Sequence, residues 1–508
     1  MPIFAAVDIG ANSCRLKIAA LETHRLRVIH EDREVTRLGG TVFSSGILDP
    51  QAIDATVKVL RRFHKATQTF HADQVKVVAT SALRDAQNAA SFVEWVRSVT
   101  GWRVEVISGL EEGRLIHLGV LSRGHISASR LMLVDLGGGS CEVTVSVDGQ
   151  IRSMISLPLG AVRLTQEFLP DDPPKKKQLE RMQEFIAEEI SRLRGRMRKG
   201  DVQMTIATSG TAAALAGIAA GREDVEHGKA VTVPRAALNR ITSKLSKLSL
   251  EQRKKLPGLG PRRAEIIIAG AFVYRELIER IGLPGFRYSA LGLRDGLLAQ
   301  MAAEYDRRAS IHRRIESERI AALRETAAKY AVQMSTAEHV QDLALQLFHE
   351  LRQVHRLPPD YREWISAAAV LSDAGSFINR TGRHRHTYYL IANSEIFGYS
   401  TEQRRVIAAI ARYLGKTRPS TTDRPIRSVP LSQRSLIPRA VVLLRMARAL
   451  DQGRRGAVKR VKARVNDGTV LIKLETKRGG AELESWSLSK EAAYFREVFG
   501  RDLAPPPS

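Results

Sequence analysis

Val7-Asp-Ile-Gly-Ala-Asn-Ser-Cys14 and Val134-Asp-Leu-Gly-Gly-Gly-Ser-Cys141 are two versions of one phrase. In each, an apolar run ends in Asp, passes through a small-residue turn to a hydroxyl residue, and resumes as an alternating run, Leu16-Lys-Ile18 in one and Val143-Thr-Val145 in the other. That pattern predicts a β-hairpin. Gly10, Gly137, Gly138 and Gly139 predict turns of positive φ whose backbone N–H groups face an anion. Asp8 and Asp135, at the strand ends, are placed to hold a hydrated divalent cation or a water beside it. Turn chemistry alone fits an ordinary tight turn equally well; the repetition favours a site. The copies stand 135 − 8 = 127 residues apart, the size of a small domain, and so predict two related lobes facing each other with phosphate between them.

The 508 residues exceed one hydrophobic core and predict three or four domains. A hydrophobic content of 44% with 26% charged residues is that of a soluble globular protein. No segment approaches the apolar length of a membrane span, and Met1-Pro-Ile-Phe4 runs into the first strand without a signal-peptide pattern, so a cytoplasmic protein with no membrane partner is expected. Two cysteines exclude a disulfide framework. Cys14 and Cys141 are expected as small apolar side chains on buried hairpin faces, an oxidation-sensitive pair being the alternative. The net charge of +25 points to a polyanionic partner or substrate, and residues 306–508 are the more basic part, with 36 Lys+Arg against 21 Asp+Glu. Aromatic content of 6%, with no aromatic stripe beside a basic cluster, argues against nucleic acid as the partner.

Along the chain, residues 3–30 read as hairpin strands and Pro50 to Phe70 as an amphipathic helix capped by Asp49. Val75 to Thr80 is a strand leading through Ser81 to Arg84, and Val104 to Ile107 is another, followed by a helix after Ser108. These give an α/β lobe over residues 1–128. In a second lobe, residues 129–305, Asp171-Asp-Pro-Pro174 predicts a helix with prolines in its first turn, running towards Met197. Met204 to Thr208 is a strand stopped by Ser209-Gly-Thr211, and Tyr288 to Gly296 is a further small-residue turn before a helix. Residues 310–455 repeat apolar positions at helical spacing and predict an all-α domain. Residues 456–503 suit a small α+β domain, and Ala504-Pro-Pro-Pro-Ser508 a disordered tail.

Between the hairpins, Glu111 and Glu112 begin a helix at a strand end, where a carboxylate projects into a cleft. Water attacking a terminal phosphoryl group needs such a carboxylate, with cations and backbone donors spreading the developing charge. Two acids merely complementing a helix dipole are the plainer alternative. For Arg84, the plainer alternative to a phosphate contact is a surface ion pair with Asp85.

The set Val7 to Ser13, Ala79-Thr-Ser-Ala-Leu-Arg84, Ser108-Gly-Leu-Glu-Glu112, Val134 to Glu142, Leu159-Gly-Ala-Val162 and Ser209-Gly-Thr211 resembles the exopolyphosphatase/guanosine pentaphosphate phosphatase (Ppx/GppA) family in order and spacing. The resemblance implies two ribonuclease-H-like lobes of the actin-like ATPase superfamily, and hydrolysis of inorganic polyphosphate from its ends or of guanosine pentaphosphate. It implies Glu112 as catalytic base, Arg84 as a guanidinium on phosphate oxygens, and Asp135, Glu142 and Asp8 around Mg²⁺ or Mn²⁺. By the same carry-over, Asp8, Gly10, Asn12, Ser13, Thr80, Ser81, Gly137, Gly138, Gly139, Ser140, Gly210 and Thr211 bind phosphate, and the chain forms a homodimer. Ala11 and Cys141 stand where the family usually has Ser and Thr, mild departures that leave base and metal ligands in place. A phosphotransferase and a polyanion-binding regulator are the readings of other classes.

Glu338-His339, Leu371 to Gly375, Arg383 to Ile391 and Leu444 to Asp451 look like the HD-type domain of the family's long members. There Ser372 replaces the paired His and Arg448 stands at the late Asp, substitutions that repel a metal. His384 and His386 with Arg383 and Arg385 could line a path for a long polyanion, a structural role for the histidines being the alternative.

Overall fold

The protein is described from a computed structural model covering residues 1–122, 128–193, 202–222, 225, 231–306, 310–466, 468–477 and 480–504. It divides into two compact units, Met1–Ile315 and Glu316–Ser508.

The first unit is built on two mixed sheets. One contains β1 (Ile3–Ile9), β2 (Ser13–Glu22), β3 (Arg25–Val35), β4 (Gln74–Ala79) and β5 (Val104–Val106), in the order β3-β2-β1-β4-β5. The other contains β6 (Arg130–Leu136), β7 (Cys141–Val147), β8 (Gln150–Leu157), β9 (Met204–Thr208), β10 (Thr232–Pro234) and β11 (Gly285–Tyr288), in the order β10-β11-β9-β6-β7-β8. In both, three strands form an antiparallel meander and two follow parallel to the first. The repeated phrase thus extends to a repeated topology, with β10 added at one edge. These are two actin-like α/β lobes.

The hairpins match atom for atom: the Gly10 N–H donates to the Ser13 carbonyl at 3.2 Å and the Gly137 N–H to the Ser140 carbonyl at 3.0 Å. Their glycines do not take positive φ, contrary to the sequence expectation. Crowding between the lobes demands Gly138 and Gly139 instead. A Cβ on Gly138 would lie 2.9 Å from the Ala11 Cβ, and one on Gly139 would lie 2.3 Å from Phe43 and 2.5 Å from the Ser81 Oγ. The hairpin tips therefore face each other at close range. Both cysteines are fully buried beside them, where desolvation pushes the Cys14 thiol up to about 12 and raises that of Cys141 well above its usual value.

Each sheet buries its outer face under its own helices. The helix Pro50–Thr69, whose Asp49 cap accepts from the Gln51 and Ala52 N–H groups, packs Val57, Leu60 and Phe63 beneath the first sheet. The helix Ile267–Ile281 does the same for the second. The helix expected after Asp171 begins at Lys176, so Pro173 and Pro174 precede it, and it ends at Ser191; residues 194–200, into which it was expected to run, lie outside the described residues. Between the sheets, two helices change sides. Gly109–Ser122 lies against β7 and β8, and Leu293–Tyr305 against β1. They cross where a Cβ on Gly296 would come within 1.9 Å of the Leu115 carbonyl oxygen. Phe4, Val78, Leu115, Leu131, Ile206, Leu297 and Met301 close one core between the lobes.

In the second unit, helices including Met334–Glu350, Tyr361–Val370, Arg383–Asn393, Thr401–Arg412 and Ile437–Ala449 are followed by strands β12 (Val458–Asn466), β13 (Thr469–Thr476) and β14 (Asp502–Ala504). The sheet shares the helices' core: Val461, Ile472, Leu488, Phe495 and Leu503 join Leu347 and Leu443 in one cluster. Gln346 and Glu350 accept the Val461 and Ala463 N–H groups at 2.8 and 3.0 Å. Ala504, expected in a disordered tail, pairs with Leu471 in β14; the rest of that tail, residues 505–508, lies outside the described residues.

Candidate active site

A cleft of about 730 Å³ opens between the two hairpins of the first unit. Asp8, Gly10, Asn12, Ser13, Thr80, Ser81, Glu112, Asp135, Gly137, Gly138, Ser140 and Gly210 all line it. Four sequence candidates do not. Thr211 is buried, with its methyl against Gly270, while Gly139, Arg84 and Glu142 stand behind the lining.

The swapped helix brings the acids together. Ser108 accepts the Glu111 N–H at 3.1 Å and starts the helix. Glu111 then turns back onto the fully buried Arg114 at 2.8 Å, so its role is an ion pair within the helix. Glu112 projects into the cleft. Because Gly109 lacks a side chain, the helix can sit directly on β8, where a Cβ would be 2.2 Å from the Ser156 Oγ. Carboxylate oxygens of Glu112, Asp135 and Glu142, all buried, lie within 4.8 Å of one another. Asp135 and Glu142 are cross-strand neighbours on β6 and β7. Asp8, opposite Arg15 on β1 and β2, lies outside that triad.

Three groups orient the triad. Thr208 donates its hydroxyl to Asp135, Ser156 donates to Glu142 Oε1 at 2.7 Å, and Arg84 reaches across from the first lobe. Arg84 Nη1 donates to Glu112 Oε2 and to the Ile107 carbonyl, each at 2.9 Å, and its Nη2 donates to the Ser140 Oγ at 3.2 Å. The alternative pairing with Asp85 is not formed; Asp85 binds Arg163, which also donates to the Gly139 carbonyl at 2.8 Å. Arg84 is thus a bridge between the two lobes at the acids.

Burial raises the carboxyls of the triad and of Asp8. Desolvation and then Asp135 push Glu142 up to about 7, and desolvation pushes Asp135 up to about 6. Glu112 is raised well above the usual range by burial and by Glu142, with Arg84 acting against both. Asp8 is raised by burial, opposed by Arg15 and Arg294. Three like charges in one dry site suit a hard divalent cation, and the Glu142 Oε2 and Asp8 Oδ1 atoms are buried without a hydrogen-bond partner among the described residues. The donor set therefore fits such an ion.

Sequence reasoning missed the far wall of the cleft. Arg15, Lys17, Arg263 and Arg294 line it, Lys17 bonding Asp295 at 2.9 Å and Arg294 donating to the Leu16 carbonyl at 3.0 Å. Arg15 was legible: aligned on Cys14 and Cys141, it occupies in the first hairpin the place of Glu142 in the second. No motif announces Arg263, whose guanidinium covers Gly210. It missed Ser209 as well, whose φ of 69° is held by a 2.6 Å bond to the Leu136 carbonyl.

In the second unit, Arg448 donates from both terminal nitrogens to Asp373 Oδ1 at 3.0 Å, and Arg454 donates to Asp373 Oδ2 at 2.8 Å. His339 Nε2 and Asp451 Oδ1 are 3.8 Å apart. With two guanidiniums on its central carboxylate, this residue set does not fit a divalent cation.

Comparison with known proteins accords with this geometry. Residues 17–305 match the model of the Ppx/GppA phosphatase family, and residues 319–492 that of Ppx/GppA phosphatase domain III. Among solved structures, an Aquifex aeolicus Ppx/GppA family member is 31% identical, covers 60% of this chain and 99% of its own, and superposes with a TM-score of 0.52. An exopolyphosphatase-like protein is 27% identical over 60% of this chain and 98% of its own, with a TM-score of 0.56. An exopolyphosphatase from Cytophaga hutchinsonii shares the fold at 22% identity, covering 59% and 98%, with a TM-score of 0.56.

Proposed function

The chain belongs to the Ppx/GppA phosphatase family, and from that membership we propose that it is an exopolyphosphatase, releasing orthophosphate from the ends of inorganic polyphosphate. The observation that carries this reading is the convergence of Glu112 from one lobe with Asp135 and Glu142 from the other, beside two facing hairpin tips.

The hairpin N–H groups, with Asn12, Ser13 and Ser140, would hold the terminal phosphoryl oxygens. Asp135 and Glu142 would hold Mg²⁺ or Mn²⁺, which when bound supplies charge neutralisation at those oxygens. Glu112 takes a proton from water as the water oxygen bonds to the terminal phosphorus. The bridging P–O bond breaks, and its electron pair leaves with the shortened chain. Arg84, fixed by Ile107 and Ser140, holds the Glu112 carboxylate on the water's side and spreads negative charge in the cleft.

Purified protein incubated with long-chain polyphosphate and Mg²⁺ is expected to release orthophosphate. A rate no higher than that of Glu112→Gln would defeat the proposal. A second reading, hydrolysis of guanosine pentaphosphate, is favoured by the cationic far wall with Tyr288 beside it. Competition between the two substrates on one preparation separates them. We read the helices of the second unit as an HD-like domain with Arg448 at its former metal position, and the whole protein as a cytoplasmic homodimer.

A further inference from the structure

The second unit contains a cavity of its own, about 480 Å³ in volume, where the residues of the lost metal position meet the segment 372–383, which ends in the first residue of the helix Arg383–Asn393. Its lining carries Arg380, Arg383, Arg448 and Arg454 against only Asp373 and Asp451, an excess of two positive charges. The four guanidiniums are not equivalent. Arg448 is committed to Asp373, and its charge is destabilised by burial. Arg454 gives one nitrogen to the same carboxylate and is otherwise half exposed. Arg380 and Arg383 stand at the mouth with no side-chain hydrogen bond or ion pair among the described residues.

Evolving a cation at a metal position removes one function without requiring another. Here, however, two further cations line the same hollow; Asp373 attracts Arg383 across it, but its oxygens are bonded to Arg448 and Arg454 and pair with neither of the two. The opposite wall is apolar, made by Ala331, Val332 and Val340, and Gln333 and Gln452 offer hydrogen-bonding groups beside it. A cationic rim over an apolar wall is the combination that holds a phosphate ester by its charged end and its organic part by contact.

We propose that this cavity binds a small organic oligophosphate of nucleotide type, its phosphates on Arg380, Arg383 and Arg454 and its organic part on Val332 and Val340. The site is separate from the acid triad and independent of which substrate the first unit hydrolyses.

The test is calorimetric titration of the full chain with ADP and, in parallel, inorganic tripolyphosphate, in the absence of divalent ions. Wild-type protein is expected to show an ADP site that Arg380→Ala/Arg383→Ala weakens at least tenfold, while phosphate release from polyphosphate by the single variant Arg380→Ala keeps its kcat. Both side chains are unbonded at the rim, so folding should be spared. Val332→Trp, which narrows the apolar wall and leaves every charge in place, should weaken ADP by a similar factor and tripolyphosphate less than twofold. Identical ADP isotherms for wild type and the double variant would overturn the site. Tripolyphosphate binding there as tightly as ADP would overturn the organic part of the assignment.

Discussion

His117 offers a sharp test of the swapped helix. It lies fully buried on Gly109–Ser122, about one and a half turns beyond Glu112, and neither ring nitrogen has a hydrogen-bond partner among the described residues. Burial, reinforced by Arg314 and Arg114, lowers its pKa from 6.5 to about 3. The folded state thus keeps this imidazole neutral while the unfolded chain protonates it, and unfolding takes up a proton between those two values. Its contribution is complete above pH 6.5 and is lost as pH falls towards 3. Linkage puts the loss at about 2 kcal/mol by pH 5 and about 3 kcal/mol by pH 4, approaching roughly 4–5 kcal/mol in full. His117→Leu removes the titration and two unsatisfied buried nitrogens, so its stability at pH 7 should equal the wild type's or exceed it by about 1 kcal/mol. Urea unfolding of both proteins at pH 7, 6, 5 and 4 gives the difference directly. The raised carboxyls, Asp135 and Glu142 among them, contribute the opposite slope, stabilising less as pH rises, but they are common to both chains and cancel. A wild-type-minus-variant difference that does not change with pH would refute the buried, neutral placement of His117 and with it the packing of this helix.

Ser156→Ala should raise the Mg²⁺ concentration for half-maximal rate by about 10- to 100-fold, since Glu142 loses the hydroxyl that orients it; the metal titration checks this. Arg84→Lys cannot reproduce the fork to Glu112, Ile107 and Ser140, and kcat should fall by about 10²-fold in phosphate-release assays with the fold intact by circular dichroism. Gly160→Ala places a methyl 2.2 Å from the Gly139 carbonyl carbon, so the second hairpin must shift; activity should drop more than tenfold and stability by about 1–3 kcal/mol in thermal melts.

Much of the first unit was legible because its information is local. A hairpin is specified by neighbouring residues, so the duplicated phrase gave two hairpins, two Asp residues at strand ends and two facing turns. The cap at Asp49 and the strand stopped by Ser209 are signals of the same short range. Dihedral preference was a poorer guide: glycine is enriched both where φ is positive and where backbones crowd, and the hairpin tips use the second reason. The shared core of the second unit was not legible either, because strands β12 to β14 alternate like those of an independent sheet and only packing shows which apolar face they cover.

By itself, the sequence determined the family, the repeated hairpins and the identity of the acids, since each is written in contiguous residues. Tertiary structure decided which acids meet and what meets them. Glu111 and Glu112 are adjacent in the chain, yet the helix they begin crosses onto the other lobe's sheet, turning one to Arg114 and the other to Asp135 and Glu142. Arg84 leaves its neighbour Asp85 for Glu112 and Ser140, and Arg263 arrives from the short 3₁₀ helix Pro261–Arg263, which carries no motif. Those outcomes depend on contacts between residues far apart in the chain, fixed by how two sheets share the helices between them, and no short-range pattern encodes that choice.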